Sequence, residues 1–259
     1  MNAKGLKAIM INQREDFTYR LLMDAGIKKG FRILDVGCGS GDVTLLAAEI
    51  VGADGEVIGF DTNEAALDIA RNAAAERRII NAKFVKAEIG GLPQDIGRFD
   101  AIIGRRVLMY QPDATHSVKS LLPYLKTNGL VVFQESDSMG SFKNMDLPLH
   151  TQAQAWIWDT VAKEGGNVHI GSNLYCVFKQ AGLTIAQVRA EAVLQTPETG
   201  SDLAWVVKMM LPRIIQSGTA TQKEIDIDLL EERLNSERQN ADAVFVRDMT
   251  FGIWGTMQA

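Results

Sequence analysis

Residues 33–43 read ILDVGCGSGDV, a short apolar run followed by glycines at 37, 39 and 41. A strand that ends in a glycine-rich turn and continues as a helix aims backbone N–H groups at a ligand. Glycine permits positive φ there and lets a ligand approach the main chain. The dinucleotide fingerprint G-x-G-x-x-G wants its third glycine at position 42, and this chain has Asp42. A carboxylate at that place repels a pyrophosphate, which argues against a nicotinamide dehydrogenase. No Lys-Ser/Thr pair follows, so a phosphate loop fits worse. Asp35 stands at the strand end. Acids at both ends of the turn suit a ligand with an ammonium group and no phosphate.

Outward from the turn, apolar runs alternate with helical patterns. FRILDV (31–36), EVIGF (56–60), KFVKA (83–87), FDAIIG (99–104) and LVVFQE (130–135) read as strands. Residues 42–52, 63–78 and 112–126 carry helical spacing. Asn63 followed by Glu64 gives the second of these a cap and a favourable first-turn charge. Asn128-Gly129 predicts a turn before the fifth strand. Such alternation implies right-handed crossovers and a parallel sheet.

After residue 136 the rhythm changes. Residues 149–163 and 172–181 read as helices, 183–193 as a strand, 201–217 and 222–239 as helices, and 243–257 as a last long strand. The first 30 residues predict a helix that buries Phe17, Leu21 and Leu22. The chain is expected to be one domain over 1–259. Its parts are an N-terminal helical segment (1–30), a cofactor-binding core (31–135) and helical lid insertions at 139–182 and 199–240.

Two further acids extend the ligand reading. Asp61 ends the second strand, where a carboxylate can accept both hydroxyl protons of a ribose. Glu88 follows the third strand and can take an adenine amino group, with Ile89 and Leu92 covering the ring. In this order and spacing, DVGCGSG (35–41), GFD (59–61), AE (87–88) with LP (92–93), FDAIIG and GLVVFQE resemble the class I S-adenosylmethionine-dependent methyltransferases. The small-molecule branch, which includes the ubiquinone/menaquinone-biosynthesis type, is the most similar. The likeness is close over 30–135 and loose beyond.

That resemblance implies a Rossmann-like α/β fold: seven strands in the order 3-2-1-4-5-7-6, with strand 7 antiparallel. It implies that Asp35, Gly37, Gly39 and Gly41 hold the methionine part of S-adenosylmethionine. Asp61 is the ribose acid, flanked by Thr62 and Asn63, and Glu88 with Ile89 lies at the adenine edge. Gly104, Arg105 and Leu108 lie near the methyl group. There the segment GRRVLMYQPD (104–113) replaces the paired histidines frequent in relatives.

The expected activity is therefore methyl transfer to a small molecule by in-line displacement. A methyltransferase acting on protein or RNA, and a non-catalytic cofactor-binding member, are the alternatives. The net charge of −5 and the lack of a basic stripe disfavour nucleic acid or an anionic membrane. No apolar run reaches the ~20 residues a membrane span needs. The polar first residues do not read as a signal peptide, and the two cysteines lack metal-ligand spacing, so a reduced, cytoplasmic setting is expected. No metal site is expected.

A base is needed only if the acceptor must lose a proton. His169 and then His150 are the candidates, with Glu135 and Asp137 the carboxylate alternatives; His116 is expected to be solvated. Trp156 and Trp158, two apart on a helix, should point to different sides, one into the core and the other toward the active-site mouth. Met209, Met210 and Leu211 read as core, and Pro212 should bend or end its helix.

Overall fold

The computed structural model describes residues 16–138, 146–198 and 201–257. The first half of the expected N-terminal helix, and the opening residues 139–145 and 199–200 of the two expected insertions, lie outside the described residues.

Seven strands form one sheet in the order β3-β2-β1-β4-β5-β7-β6, with β7 antiparallel. They are β1 (Arg32–Val36), β2 (Glu56–Asp61), β3 (Ala82–Lys86), β4 (Phe99–Arg105), β5 (Leu125–Asp137), β6 (Leu183–Gln195) and β7 (Phe245–Met257). β1 pairs in parallel with β2 on one side and β4 on the other. The connections therefore reverse direction beside β1, and the crevice at its carboxyl end is where open α/β sheets take their ligands.

The chain divides into two compact units. The core unit holds Phe17–Glu135, Ile170–Arg189 and the chain from Phe251. Its helices are α1 (helical through 16–24), α2 (Asp42–Val51), α3 (Glu64–Glu76), α4 (Ala114–Leu121) and α6 (Ile170–Ala181). Phe17, Leu21 and Leu22 of α1 are buried as expected, in one cluster with Val43, Ala47, Ile103, Val132 and Trp254. Gly252 lets α1 approach β7, since a Cβ there would lie 2.6 Å from Leu21 Cδ1. Residues 170–181 were expected within an insertion, yet α6 belongs to the core unit: Phe178 packs edge-on to Phe133 of β5.

The helical unit holds Ser136–His169 and Ala190–Thr250 as far as they are described. Its helices are α5 (Pro148–Lys163), α7 (Leu203–Gln216), α8 (Gln222–Ile225) and α9 (Ile227–Ala241), and α5, α7 and α9 pack on one another.

The structure departs from several local expectations. The helix expected over 222–239 is broken at Asp226, whose left-handed backbone (φ 47°) separates α8 from α9. Of the two outcomes expected at Pro212, an end to the helix does not occur, since α7 continues to Gln216. Pro212 and Lys208, whose carbonyl the missing N–H would have met, are both exposed, so water can satisfy that carbonyl. Trp156 and Trp158 are both buried, because α5 is covered on more than one side. Met209 is exposed, while Met210 is core.

Asn128-Gly129 does not precede β5 but lies inside it. Leu125 pairs with Phe99 and Leu130 with Ala101, so the residues between them bulge out, with Asn128 at φ 60°.

Candidate functional site

Gly37, Gly39 and Gly41 all have positive φ (60°, 51° and 88°). Two of them are enforced by packing. A Cβ on Gly37 would lie 2.6 Å from Val107, and one on Gly41 would lie 2.8 Å from Ala70 Cβ and 3.1 Å from the Phe84 ring. Around the corresponding point of Gly39 nothing lies within 4 Å, so this residue faces open space. The turn is thus clamped at both ends and bare in the middle, which is the form of a cradle for a ligand pressed against the main chain.

Asp61 ends β2 beside this turn, because Phe60 is in register with Val36. Its Oδ2 accepts from the Gly39 N–H at 2.9 Å, and its Oδ1 accepts from the Asn63 N–H at 2.9 Å. A carboxylate has about four acceptor positions, so two remain for the hydroxyls of a ligand. Asn63 also caps α3 through its side chain, which accepts from the Ala66 N–H, as the sequence predicted. Thr62 and Glu88 are exposed and Ile89 is half-buried. Leu92 is buried, and its carbonyl accepts from the Tyr124 hydroxyl.

Asp35 is buried beneath the turn and has an internal partner: the Thr44 hydroxyl of α2 donates to it at 2.5 Å. Burial pushes the Asp35 carboxyl up to about 7, against the opposing pull of Thr44 and Arg105. The sequence reading did not single out Thr44 or Gly59, which share this contact. A Cβ on Gly59 would sit 2.6 Å from Thr44 Oγ1, so glycine there lets α2 lie against β2. An isolated glycine inside a strand is the signal that could have found it.

Gly104, next to last in β4, lies opposite Val36 and under Phe133; a Cβ would meet that ring at 2.5 Å. Arg105 reaches back to the turn: Nη1 donates to Thr18 Oγ1 at 3.3 Å, and Nη2 lies 3.7 Å from Asp42 Oδ2. Arg106, at φ 59°, donates its N–H to the Gln134 carbonyl.

Glu135 is not the last residue of the fifth strand but lies within it, and it is fully buried. Its Oε1 accepts from the Val107 and Leu108 N–H groups at 2.9 and 2.8 Å. Burial raises its carboxyl to about 7, although those N–H groups pull the other way. Through Val107 it also fixes Gly37, so β5, the segment after β4 and the glycine turn form one rigid contact chain.

The two histidine candidates are both in the helical unit and differ sharply. His169 is exposed, with Nδ1 3.3 Å from Asp137 Oδ1 and 3.3 Å from Ser138 Oγ. His150 is completely buried, and its Nδ1 donates to Glu237 at 2.7 Å. His116 is exposed, as expected. Among the described residues no group of three or more His, Cys, Asp or Glu could hold a metal, and no helix is long and apolar enough to cross a membrane.

Known proteins resemble this chain in sequence and in fold. It is 32% identical over 139 residues to a demethylmenaquinone methyltransferase of Staphylococcus aureus, covering 53% of this chain and 57% of that one. It is 36% identical over 112 residues to the ubiquinone/menaquinone biosynthesis C-methyltransferase UbiE of Idiomarina loihiensis, covering 43% of this chain and 45% of that one. The chain thus spans about half the length of these curated relatives. In fold it is similar to the crystal structure of the YcgJ protein of Bacillus subtilis, with a TM-score of 0.62 at 17% identity over 94% of this chain and 99% of that one. Residues 27–187, which hold the glycine turn, Asp61 and the Glu135 contact, match the Methyltransferase domain family, and the chain belongs to that family.

Proposed function

We propose that this protein is an S-adenosylmethionine-dependent methyltransferase acting on a small-molecule acceptor. The observation that carries the reading is Asp61. It is held by two backbone N–H groups at the end of β2, with two acceptor positions left over for a ribose diol. The open space over Gly39 fits the same nucleoside, since no heavy atom would meet a Cβ there. Glu88 and Ile89 would take the adenine edge. Gly37, Gly41, Gly104 and Arg105 would shape the methionine end, with Asp35 fixing the turn from below through Thr44.

Bound S-adenosylmethionine supplies an electrophilic methyl group on a sulfonium that is already a good leaving group. The protein has then to align and desolvate the acceptor, and positioning can supply roughly 7–11 kcal/mol. Glu135 serves this alignment by locking the segment after β4 to the glycine turn. Where the acceptor must lose a proton, the exposed His169 backed by Asp137 is the candidate base, and such a base contributes about 10²–10⁴-fold. His150, without exposure, is a poorer one. The acidic net charge favours a small molecule over nucleic acid, and the free Cys38 and Cys176 suit a reducing cytoplasm.

The test is calorimetric titration with S-adenosylhomocysteine for the wild type and Asp61→Ala, followed by a turnover assay with quinol-type and other small acceptors. Binding that Asp61→Ala weakens about tenfold or more supports the site. A folded variant with unchanged affinity refutes it. Cofactor binding without methyl transfer to any acceptor favours the non-catalytic alternative.

A further inference from the structure

Three buried side chains on α5 and α9 of the helical unit have polar atoms that no group among the described residues satisfies. His150, Gln154 and Arg238 are each at least 97% buried. His150 Nε2, Gln154 Nε2, and Arg238 Nε and Nη1 all lack a hydrogen-bond partner there. Buried polar groups are normally bonded, and an uncompensated buried guanidinium costs several kcal/mol.

These groups lie on two helices that pack on one another. His150 and Gln154 lie one turn apart on one face of α5, which packs against α9. Glu237 of α9 accepts from the Leu149 and His150 N–H groups at 2.7 and 2.9 Å and from His150 Nδ1. Arg238 is the next residue, and its positive charge bears on the His150 ring. Asn235 takes one Arg238 nitrogen, Nη2, at 2.8 Å.

The hydrogen bonds set the chemistry. Because Glu237 accepts from Nδ1, the His150 proton resides on Nδ1, and Nε2 presents a lone pair. Burial, with Arg238 adding to it against the pull of Glu237, favours this neutral ring. The unpartnered atoms of Arg238 and Gln154 are all donors. The complementary partner has an anionic oxygen for the donors and a hydroxyl for the lone pair. We propose that the interior of the helical unit binds a small hydroxyl-bearing oxyanion, held by Arg238 and Gln154, with its hydroxyl donating to His150 Nε2. This goes beyond the methyl-transfer reading, because binding here requires neither cofactor nor turnover.

Inorganic phosphate near neutral pH carries both features, acetate carries the anion alone, and chloride at equal ionic strength carries neither. The full chain is titrated with each, reading the imidazole nitrogen resonances of His150 and the thermal midpoint. With three histidines in the chain, His150 is assigned from single substitutions. Phosphate should move the His150 Nε2 signal saturably and raise the midpoint, and acetate should bind more weakly. Arg238→Met should weaken phosphate at least about tenfold, the loss of one charged bond. Gln154→Leu, which removes only a neutral amide, should weaken it about threefold or more. No saturable response of His150 to phosphate or acetate would mean that water alone fills these valences, and would overturn the proposal. So would a folded Arg238→Met that binds as the wild type does. Should Arg238→Met not fold, unchanged phosphate affinity in Gln154→Leu overturns it.

Discussion

Replacing Glu135 by glutamine should change how stability depends on pH, and the size follows from its surroundings. The carboxyl is fully buried, and its proton affinity rises from 4.5 to about 7, with burial as the largest cause. The folded state therefore holds a proton there between those values that the unfolded chain has released. Stability from this group is fully present below pH 4.5 and is lost as pH rises through about 7. Between about pH 5 and about pH 8.5 the loss amounts to about 2.5 kcal/mol. The substituted amide would keep a carbonyl for the Val107 and Leu108 N–H groups and place an NH2 group where Oε2 has no partner. Glu135→Gln thus imitates the protonated acid at every pH. Urea unfolding of both proteins at the two pH values should show the variant gaining about 2.5 kcal/mol on the wild type, roughly 5–10 °C in Tm. Asp35, also raised to about 7 by burial, should leave a second descent of the same sign in both proteins. Parallel pH curves for wild type and Glu135→Gln would mean that Glu135 takes up no proton on folding.

Asp61→Ala should lower S-adenosylhomocysteine affinity about tenfold or more and also reduce Tm, because Asp61 holds the Gly39 and Asn63 N–H groups; an unchanged Tm would show that these bonds are not structural. Gly41→Ala adds a Cβ 2.8 Å from Ala70 at φ 88°, and should cost about 2–4 kcal/mol by chemical unfolding. Glu237→Ala removes three contacts at the start of α5 and should cost about 2–4 kcal/mol, read as a lower denaturation midpoint. With a hydroxyl acceptor in hand, His169→Ala should slow single-turnover methyl transfer about 10²-fold and flatten its pH profile. An unchanged rate excludes it as the base.

The alternation of strands and helices through residue 135, the three positive-φ glycines, the Asn63 cap and the acid at the end of β2 were legible in the sequence. All depend on local chemistry: side-chain period, glycine's freedom of φ, and capping by a neighbouring oxygen. The strand order was reachable too, through the family resemblance. Contacts between residues distant in sequence were not legible. Glu135 reads as a free acid at the end of a strand, and only the return of β5 beside β4 presents it to the Val107 and Leu108 N–H groups. Asp35 reads as a ligand acid, yet the lie of α2 on β2, allowed by Gly59, gives it to Thr44. His150 and His169 read alike, and burial beside Glu237 against exposure beside Asp137 separates them. Which residues could bend, cap or carry charge followed from the order of side chains alone. Tertiary structure decided which of those charges would be shut away from water, because desolvation depends on neighbours that the chain brings from far along its length.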